Sequence, residues 1–142
     1  MKIKLGVFFG GKSVEHEVSI ITALQAIENM NKEKYDIVPI YIAKDNKMYC
    51  GDFVDDIKQY TNIENLKRIS TQVTLSLKDN KTVLLRTNKK FYENEVYDYI
   101  DVAFPIVHGT NVEDGTLQGF LKMFNLPYVG CDVTSSAVGM DK

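Results

Sequence analysis

The chain has 142 residues, 44% of them hydrophobic and 25% charged, which is enough apolar content to bury a core in one domain of ordinary size. Its 17 basic and 19 acidic residues leave a formal net charge of −2, which gives no general electrostatic pull toward nucleic acid or an anionic membrane. No apolar run approaches the ~20 residues that span a bilayer, and the N-terminal "MKIKLGVFFGG" lacks the long apolar stretch and small-residue cleavage site of a secretory signal.

Residues 3–9, "IKLGVFF", form a short apolar run ending at Gly10-Gly11, which predicts a buried strand and a tight turn. Ser13 is placed to cap a helix over residues 14–30, with Ile20, Ala23, Leu24, Ile27 and Met30 as its core stripe. Val14, Val18 and Ile21 make a second apolar edge. That is more apolar surface than one core requires, and it predicts contact with a ligand, a loop, another domain or a second subunit. Residues 36–43, "DIVPIYIA", predict the next strand, with Pro39 making its centre irregular or setting it near an edge. Asp45-Asn46 is a turn signal that returns "KMYC" as a short hairpin strand. Residues 52–68 are polar with scattered apolar positions and predict short helical turns.

Val73, Leu75 and Leu77 alternate, as do Val83 and Leu85, with "KDNK" between them, which predicts a hairpin. "KKFYENEVYDY" predicts another around Glu93-Asn94, and "IDVAFPIVHG", residues 100–109, reads as one buried strand ending in His108-Gly109. Asp114 then caps a short helix with Leu117, Phe120, Leu121 and Phe124 as its stripe, closed by Asn125 and Pro127. "PYVGC" is a short strand ending at Gly130, and "DVTSSAVGMDK" begins a further helix.

Strands and helices alternate at both ends of the chain. The expected fold class is therefore α/β: a mainly parallel open sheet flanked by helices, with an antiparallel hairpin insertion in the middle. Ligands of such sheets lie beyond the carboxyl ends of the strands, and three strand ends here carry Gly10-Gly11, His108-Gly109 and Gly130. Cys50 and Cys131 have no ligand-like spacing and read as free thiols in a reducing cytoplasm. His16 and His108 have no matching ligand cluster, so no metal site is expected.

Gly6, Gly10 and Gly11 match neither G-x-G-x-x-G nor G-x-x-x-x-G-K-[ST], so neither a dinucleotide nor a P-loop site is supported. Two glycines are sufficient for a tight strand-to-helix turn. Glu15 has two readings. It is an acidic first-turn residue favoured by the helix dipole, worth about 0.3–1 kcal/mol, or it is the partner of a ligand ammonium. A capping box from Ser13 would need Glu or Gln at position 16, which is His16, so Glu15 is uncommitted. A carboxylate beside a helix N-terminus suits a zwitterion, whose carboxylate meets backbone N–H groups while its amine meets Glu15. Glu17 points elsewhere around the helix. His108 is either a structural hydrogen-bonding side chain or a group facing a carboxylate or phosphorylated atom.

"FFGGKSVEHEVS", "HGTNVEDGTLQG" and "VGCDVTSSAVGMDK", in this order, resemble the N-terminal region of the D-alanine–D-alanine ligase family. The resemblance covers both ends of the chain and leaves residues 44–100 unconstrained. It implies a Rossmann-like pre-ATP-grasp domain from an ATP-dependent, ADP-forming ligase that joins two D-alanines for peptidoglycan synthesis. In that family ATP phosphorylates the carboxylate of the first D-alanine, the amine of the second attacks the acyl phosphate, and magnesium or manganese bridges the phosphates. By this resemblance Glu15 and His108 are catalytic and substrate-binding, Glu15 holding the first ammonium and His108 lying near the carboxylate. Val18 walls the pocket, Gly10 and Gly11 belong to its loop, and Lys142 is directed toward the ATP phosphates. Val112 stands where the family commonly has the first glycine of "GEDG", and valine resists φ > 0.

The family continues past "MDK" into a central domain and an ATP-grasp domain that carry the metal ligands. The resemblance therefore implies that residues 1–142 are the first domain, ending within a helix at a domain junction. It further implies that they bind neither ATP nor metal alone and are inactive without the remainder. D-alanine and the absent domains are the expected partners, with a homodimer open, no nucleic acid and no membrane. Two alternatives stand beside it. One is a ligase that takes D-serine or D-lactate second, as in glycopeptide resistance; the other is a stand-alone, non-catalytic small-molecule-binding module.

Overall fold

The computed structural model describes residues 2–11, 16–87 and 89–106. Strand β1, Ile3–Gly10, lies between two parallel partners: β2, Tyr35–Ile42, and β7, Val102–Ile106. Helix α1, His16–Asn29, makes the crossover from β1 to β2. Beyond β2 the sheet turns antiparallel through β3 (Met48–Cys50), β4 (Thr71–Lys78), β5 (Lys81–Arg86) and β6 (Val96–Ile100). The seven strands run in the order β6-β5-β4-β3-β2-β1-β7. A 3-10 helix, Ile57–Thr61, and α2, Ile63–Ile69, join β3 to β4. The expected α/β architecture with an antiparallel middle is present as a mixed sheet, parallel in the β1–β2 and β1–β7 pairings and antiparallel in the other four.

Local chemistry explains most joints. Asp79 and Asn80 sit at φ 53° and 66°, the pair of positive values that a two-residue type I′ turn requires. Asn46 turns β2 into β3 at φ 71°. Asn62 caps α2 by accepting the Asn65 N–H at 3.1 Å. Pro39 pairs with Val7 of β1, while the β3 pairing reaches only Tyr41 and Ile42. At Pro39 one side of β2 thus carries no partner strand, which is where a residue without an N–H fits.

Two expectations need correction. "IDVAFPIVHG" is not one strand: Ile100 ends β6, Val102 begins β7, and Asp101 separates them. The Asp101 N–H donates to the Lys4 carbonyl at 2.8 Å and its carboxylate accepts the Lys4 N–H at 2.9 Å, so the chain changes partners there. "KKFY" forms no strand; Phe91 and Tyr92 are exposed and β6 pairs with β5 instead. The hairpin expected from Val73 to Leu85 is present as β4 and β5, paired antiparallel from Val73–Arg86 to Lys78–Lys81; Leu84 is fully buried and Leu77, near the turn, is exposed.

The sheet is rolled, and its connectivity requires this. A flat sheet with strands ~4.8 Å apart would hold β6 and β7 about 29 Å from each other, yet only Asp101 joins them, and one residue spans ~3.5 Å. The antiparallel strands accordingly fold over one face of the parallel ones. Phe8, Ile40, Ile42 and Ala103 pack there with Val73, Leu75, Leu84 and Ile100. Gly6 faces Ile100 so closely that an added Cβ would lie 2.8 Å from its Cδ1.

The other face of β1 points Leu5, Val7 and Phe9 at α1. Ile20, Ala23, Leu24 and Ile27 meet them at the i, i+3, i+4, i+7 spacing of one helical face. Each such large side chain contributes about 1.5–3 kcal/mol on burial. At the amino ends of the strands, the Lys4 ammonium sits 2.9 Å from both Asp36 and Asp98 and 5.1 Å from the centre of the Tyr99 ring. That cluster ties β1, β2 and β6 together at the end opposite the glycine turn.

Candidate functional site

Because β1, β2 and β7 are parallel, their carboxyl ends share one edge of the sheet. Gly10 and Gly11 close β1 there with φ 96° and 91°, values that a side chain rarely permits. At Gly10 the need is absolute, since a Cβ would stand 2.3 Å from the Ile42 carbonyl oxygen. Both glycine amides have protein partners. The Gly10 N–H donates to Ser19 Oγ at 2.9 Å and the Gly11 N–H to the Ile42 carbonyl at 2.8 Å. These two residues therefore contribute turn shape and close approach; their amides are not open to a ligand.

The first turns of α1 are fastened to all three strand ends. The hydroxyl of Ser19, fully buried, accepts from Gly10 and donates to the Ile106 carbonyl of β7 at 2.5 Å. His16, also buried, lies with Nδ1 2.5 Å from the Gly11 carbonyl and Nε2 2.8 Å from the Tyr41 hydroxyl of β2. Tyr41 is held by ring contacts with Phe9, Tyr49 and Tyr60 at 5.1–6.4 Å between centroids. Burial, with Asp45 and Glu17 adding to it, pushes the Tyr41 hydroxyl well up, so it stays protonated.

A cleft of about 480 Å³ opens beside this junction, with Ile20, Ile21, Tyr41, Lys44, Ile57 and Tyr60 among its walls. A second depression of about 980 Å³, bordered by Lys67, Arg68, Arg86 and Lys90, shares no residue with the glycine turn. Among the described residues no group of three or more His, Cys, Asp or Glu is placed to hold a metal ion. No helix among them is long and apolar enough to cross a membrane. Cys50 is a free, buried thiol.

Of the residues expected to form the site, the structure places Gly10 and Gly11 at the end of β1 and Val18 on α1. Val18 is 52% exposed and Ile21 49%, so both lie off the core. Glu15, His108 and Lys142 lie outside the described residues, as do Ser13, Val14, Val112, Asp114 and Cys131. Sequence reasoning missed His16, Ser19 and Tyr41 as the pieces that hold the turn. A signal existed: His16 and Ser19 fall on the same helical stripe as Ile20, Ala23 and Ile27, and polar groups on a buried stripe are normally hydrogen-bonded.

A parallel strand set, a crossover helix and a glycine turn at the carboxyl edge define an α/β domain of the kind that receives a small ligand at that edge. Its lineage is specific. The chain belongs to the D-ala D-ala ligase N-terminus family, whose model matches residues 4–131. It is 40% identical over 141 residues to the D-alanine–D-alanine ligase of Thermosipho melanesiensis, a match that covers 99% of this chain and 37% of that protein. The solved D-alanine-D-alanine ligase from Coxiella burnetii superposes with a TM-score of 0.73 at 34% identity, covering 96% of this chain and 37% of that one. The VanG D-Ala:D-Ser ligase from Enterococcus faecalis gives 0.68 at 31% identity, covering 97% and 38%. The chain thus spans a little over a third of the length of these relatives.

Proposed function

We propose that this chain is the amino-acid-binding first domain of an ATP-dependent ligase that joins two D-alanines into D-alanyl-D-alanine for peptidoglycan synthesis in the cytoplasm. The observation that carries the reading is the family match over nearly the whole chain. In this reading Glu15 receives the ammonium of the first D-alanine, and Val18, exposed on α1, walls the pocket. His108, two residues beyond β7, stands by the carboxylate that ATP phosphorylates and the second amine attacks. Ser19 supports this division of labour, because it ties the ends of β1 and β7, from which the Glu15 and His108 segments depart.

The described residues do not fit a metal site. ATP and magnesium or manganese are assigned to the central and ATP-grasp domains, with Lys142 directed toward the phosphates, and residues 1–142 alone are proposed to be inactive. The test is an assay of the full-length protein with D-alanine and ATP, following ADP release and dipeptide mass, with D-serine and D-lactate offered in parallel. D-alanyl-D-alanine as the preferred product is the expected result. A mixed product with D-serine or D-lactate would move the protein to the alternative specificity, and no ADP release with any of them would refute the reading.

A further inference from the structure

The chain has two arginines, Arg68 and Arg86, and its other basic residues are lysines. Both arginines line the depression of about 980 Å³ that lies away from the glycine turn, Arg68 from the last turn of α2 and Arg86 from the end of β5. Lys67 and Lys90 line it as well, against the carboxylates of Glu64 and Glu93. Cations therefore outnumber acids here, in a chain whose net charge is −2. The negative end of the α2 dipole accounts for Lys67 and Arg68 in its last turn. It does not account for Arg86, which belongs to a strand.

The nearby acids are committed elsewhere. Glu64 and Asp45 lie 3.9 and 3.5 Å from Lys67, Glu93 accepts the Lys90 N–H at 2.8 Å, and Glu95 lies 3.6 Å from Lys78. Among the described residues no carboxylate pairs with Arg68 or Arg86. Neutral groups hold Arg86 instead. Its Nη1 donates to the Asn94 carbonyl at 2.7 Å and the Val96 carbonyl at 3.4 Å, and its guanidinium carbon lies 5.2 Å from the centre of the Tyr97 ring. The group is fixed in place while its charge has no counter-ion. Arg68 donates through Nη2 to the Asn65 side chain. Ser70 also lines the depression, and its enclosed hydroxyl has no hydrogen-bond partner among the described residues.

We propose that this depression binds a phosphorylated small molecule, with Arg86 as the fixed anchor for its phosphate and Arg68 as a second cationic contact. A guanidinium is a planar fork that meets phosphate through two parallel hydrogen bonds, and one already held still loses less freedom on binding. Phosphate fits better than carboxylate because a tetrahedral group offers oxygens in several directions. It can accept from donors on α2, on β5 and in the β5–β6 turn, whereas the planar oxygen pair of a carboxylate fills one fork. The space is that of a small-molecule site rather than of a lone ion. The proposal stands on these residues alone and is independent of the ligase reading.

The test uses the full-length protein with inorganic pyrophosphate as the probe. Phenylglyoxal modifies accessible arginines, and peptide mass spectrometry reports the rate at Arg68 and at Arg86 separately, so binding elsewhere in the protein does not enter the readout. Pyrophosphate at about ten times its dissociation constant should slow modification of both by about tenfold. Citrate, and sodium chloride at the same ionic strength, should protect far less. In Arg86→Gln, pyrophosphate should no longer protect Arg68. No protection of either arginine by pyrophosphate would overturn the proposal, and protection by chloride equal to that by pyrophosphate would reduce it to charge screening and overturn it too. Equal protection by citrate would refute the phosphate class, and full protection of Arg68 in Arg86→Gln would refute the anchor. Should Arg86→Gln lose its native circular dichroism, Arg86→Lys decides: it keeps the charge and loses the fork, and full protection of Arg68 in that variant likewise refutes the anchor.

Discussion

Ser19 Oγ donates to the carbonyl of Ile106 at 2.5 Å, across 87 residues of chain, while accepting the N–H of Gly10 at 2.9 Å. One hydroxyl therefore sets the spacing between the carboxyl ends of β1 and β7. Ser19→Ala would leave a buried amide and a buried carbonyl without partners, at a cost of about 1–3 kcal/mol. Urea unfolding of the chain should show a loss of that size with an unchanged m-value. A loss below ~0.5 kcal/mol would mean that water or a neighbour takes over both bonds.

The two glycines of β1 that face close neighbours should respond differently to alanine. At Gly10 the new Cβ meets the Ile42 carbonyl oxygen at 2.3 Å and the backbone is at φ 96°, so neither partner can yield. Strain of this kind costs roughly 1–3 kcal/mol before the clash is counted. At Gly6 the obstacle is the Cδ1 end of Ile100 at 2.8 Å, a side chain that can rotate. Gly10→Ala should fail to accumulate as folded protein, while Gly6→Ala folds with a lowered melting temperature. Equal behaviour of the two would contradict this account of the turn.

Leucines of the β4–β5 hairpin separate by face. Leu84 is fully buried between the antiparallel strands and Phe8 of the parallel set, whereas Leu77 is 52% exposed. Leu84→Ala should cost about 2–5 kcal/mol, and Leu77→Ala no more than ~0.5 kcal/mol. Chemical denaturation of both variants checks the rolled sheet directly, because a flat sheet would leave Leu84 without the second layer.

At the opposite end of the sheet, burial disfavours the Lys4 ammonium, but hydrogen bonds and charge from Asp36 and Asp98 outweigh it and hold its pKa above the ordinary lysine value. A raised lysine pKa gives stability that is complete below the unfolded value, near pH 10.4, and is lost as pH rises through the folded value. Lys4→Met should therefore be less stable than wild type by a constant margin from pH 7 to about 10. The margin should shrink at higher pH, as read by unfolding midpoints across that range.

What could be read from the sequence was local. The glycine turn, the alternation at Val73 and Leu75, and the Asp79-Asn80 turn each follow from the backbone demands of a few neighbouring residues. The rolled sheet was not legible, because it depends on Gly6 meeting Ile100 and on a one-residue link at Asp101 inside what reads as a single apolar run. His16 and Ser19 were visible as polar positions on a buried stripe. Their partners were not, since Tyr41 lies 25 residues and Ile106 87 residues away, and no local pattern encodes such pairings. The three-motif resemblance reached the family where periodicity alone gave a fold class.

The central claim is that the turn after β1 serves an amino acid through Glu15. Its most direct test is the KM for the first D-alanine in the full-length protein carrying Glu15→Gln, with Glu17→Gln, exposed two residues on, as the control. Loss of a charged hydrogen-bond partner is worth roughly 1.5–3 kcal/mol, so Glu15→Gln should raise KM by at least about tenfold while Glu17→Gln leaves it near wild type. A KM for Glu15→Gln equal to that of the wild type would contradict the account and return Glu15 to the role of a helix-dipole residue.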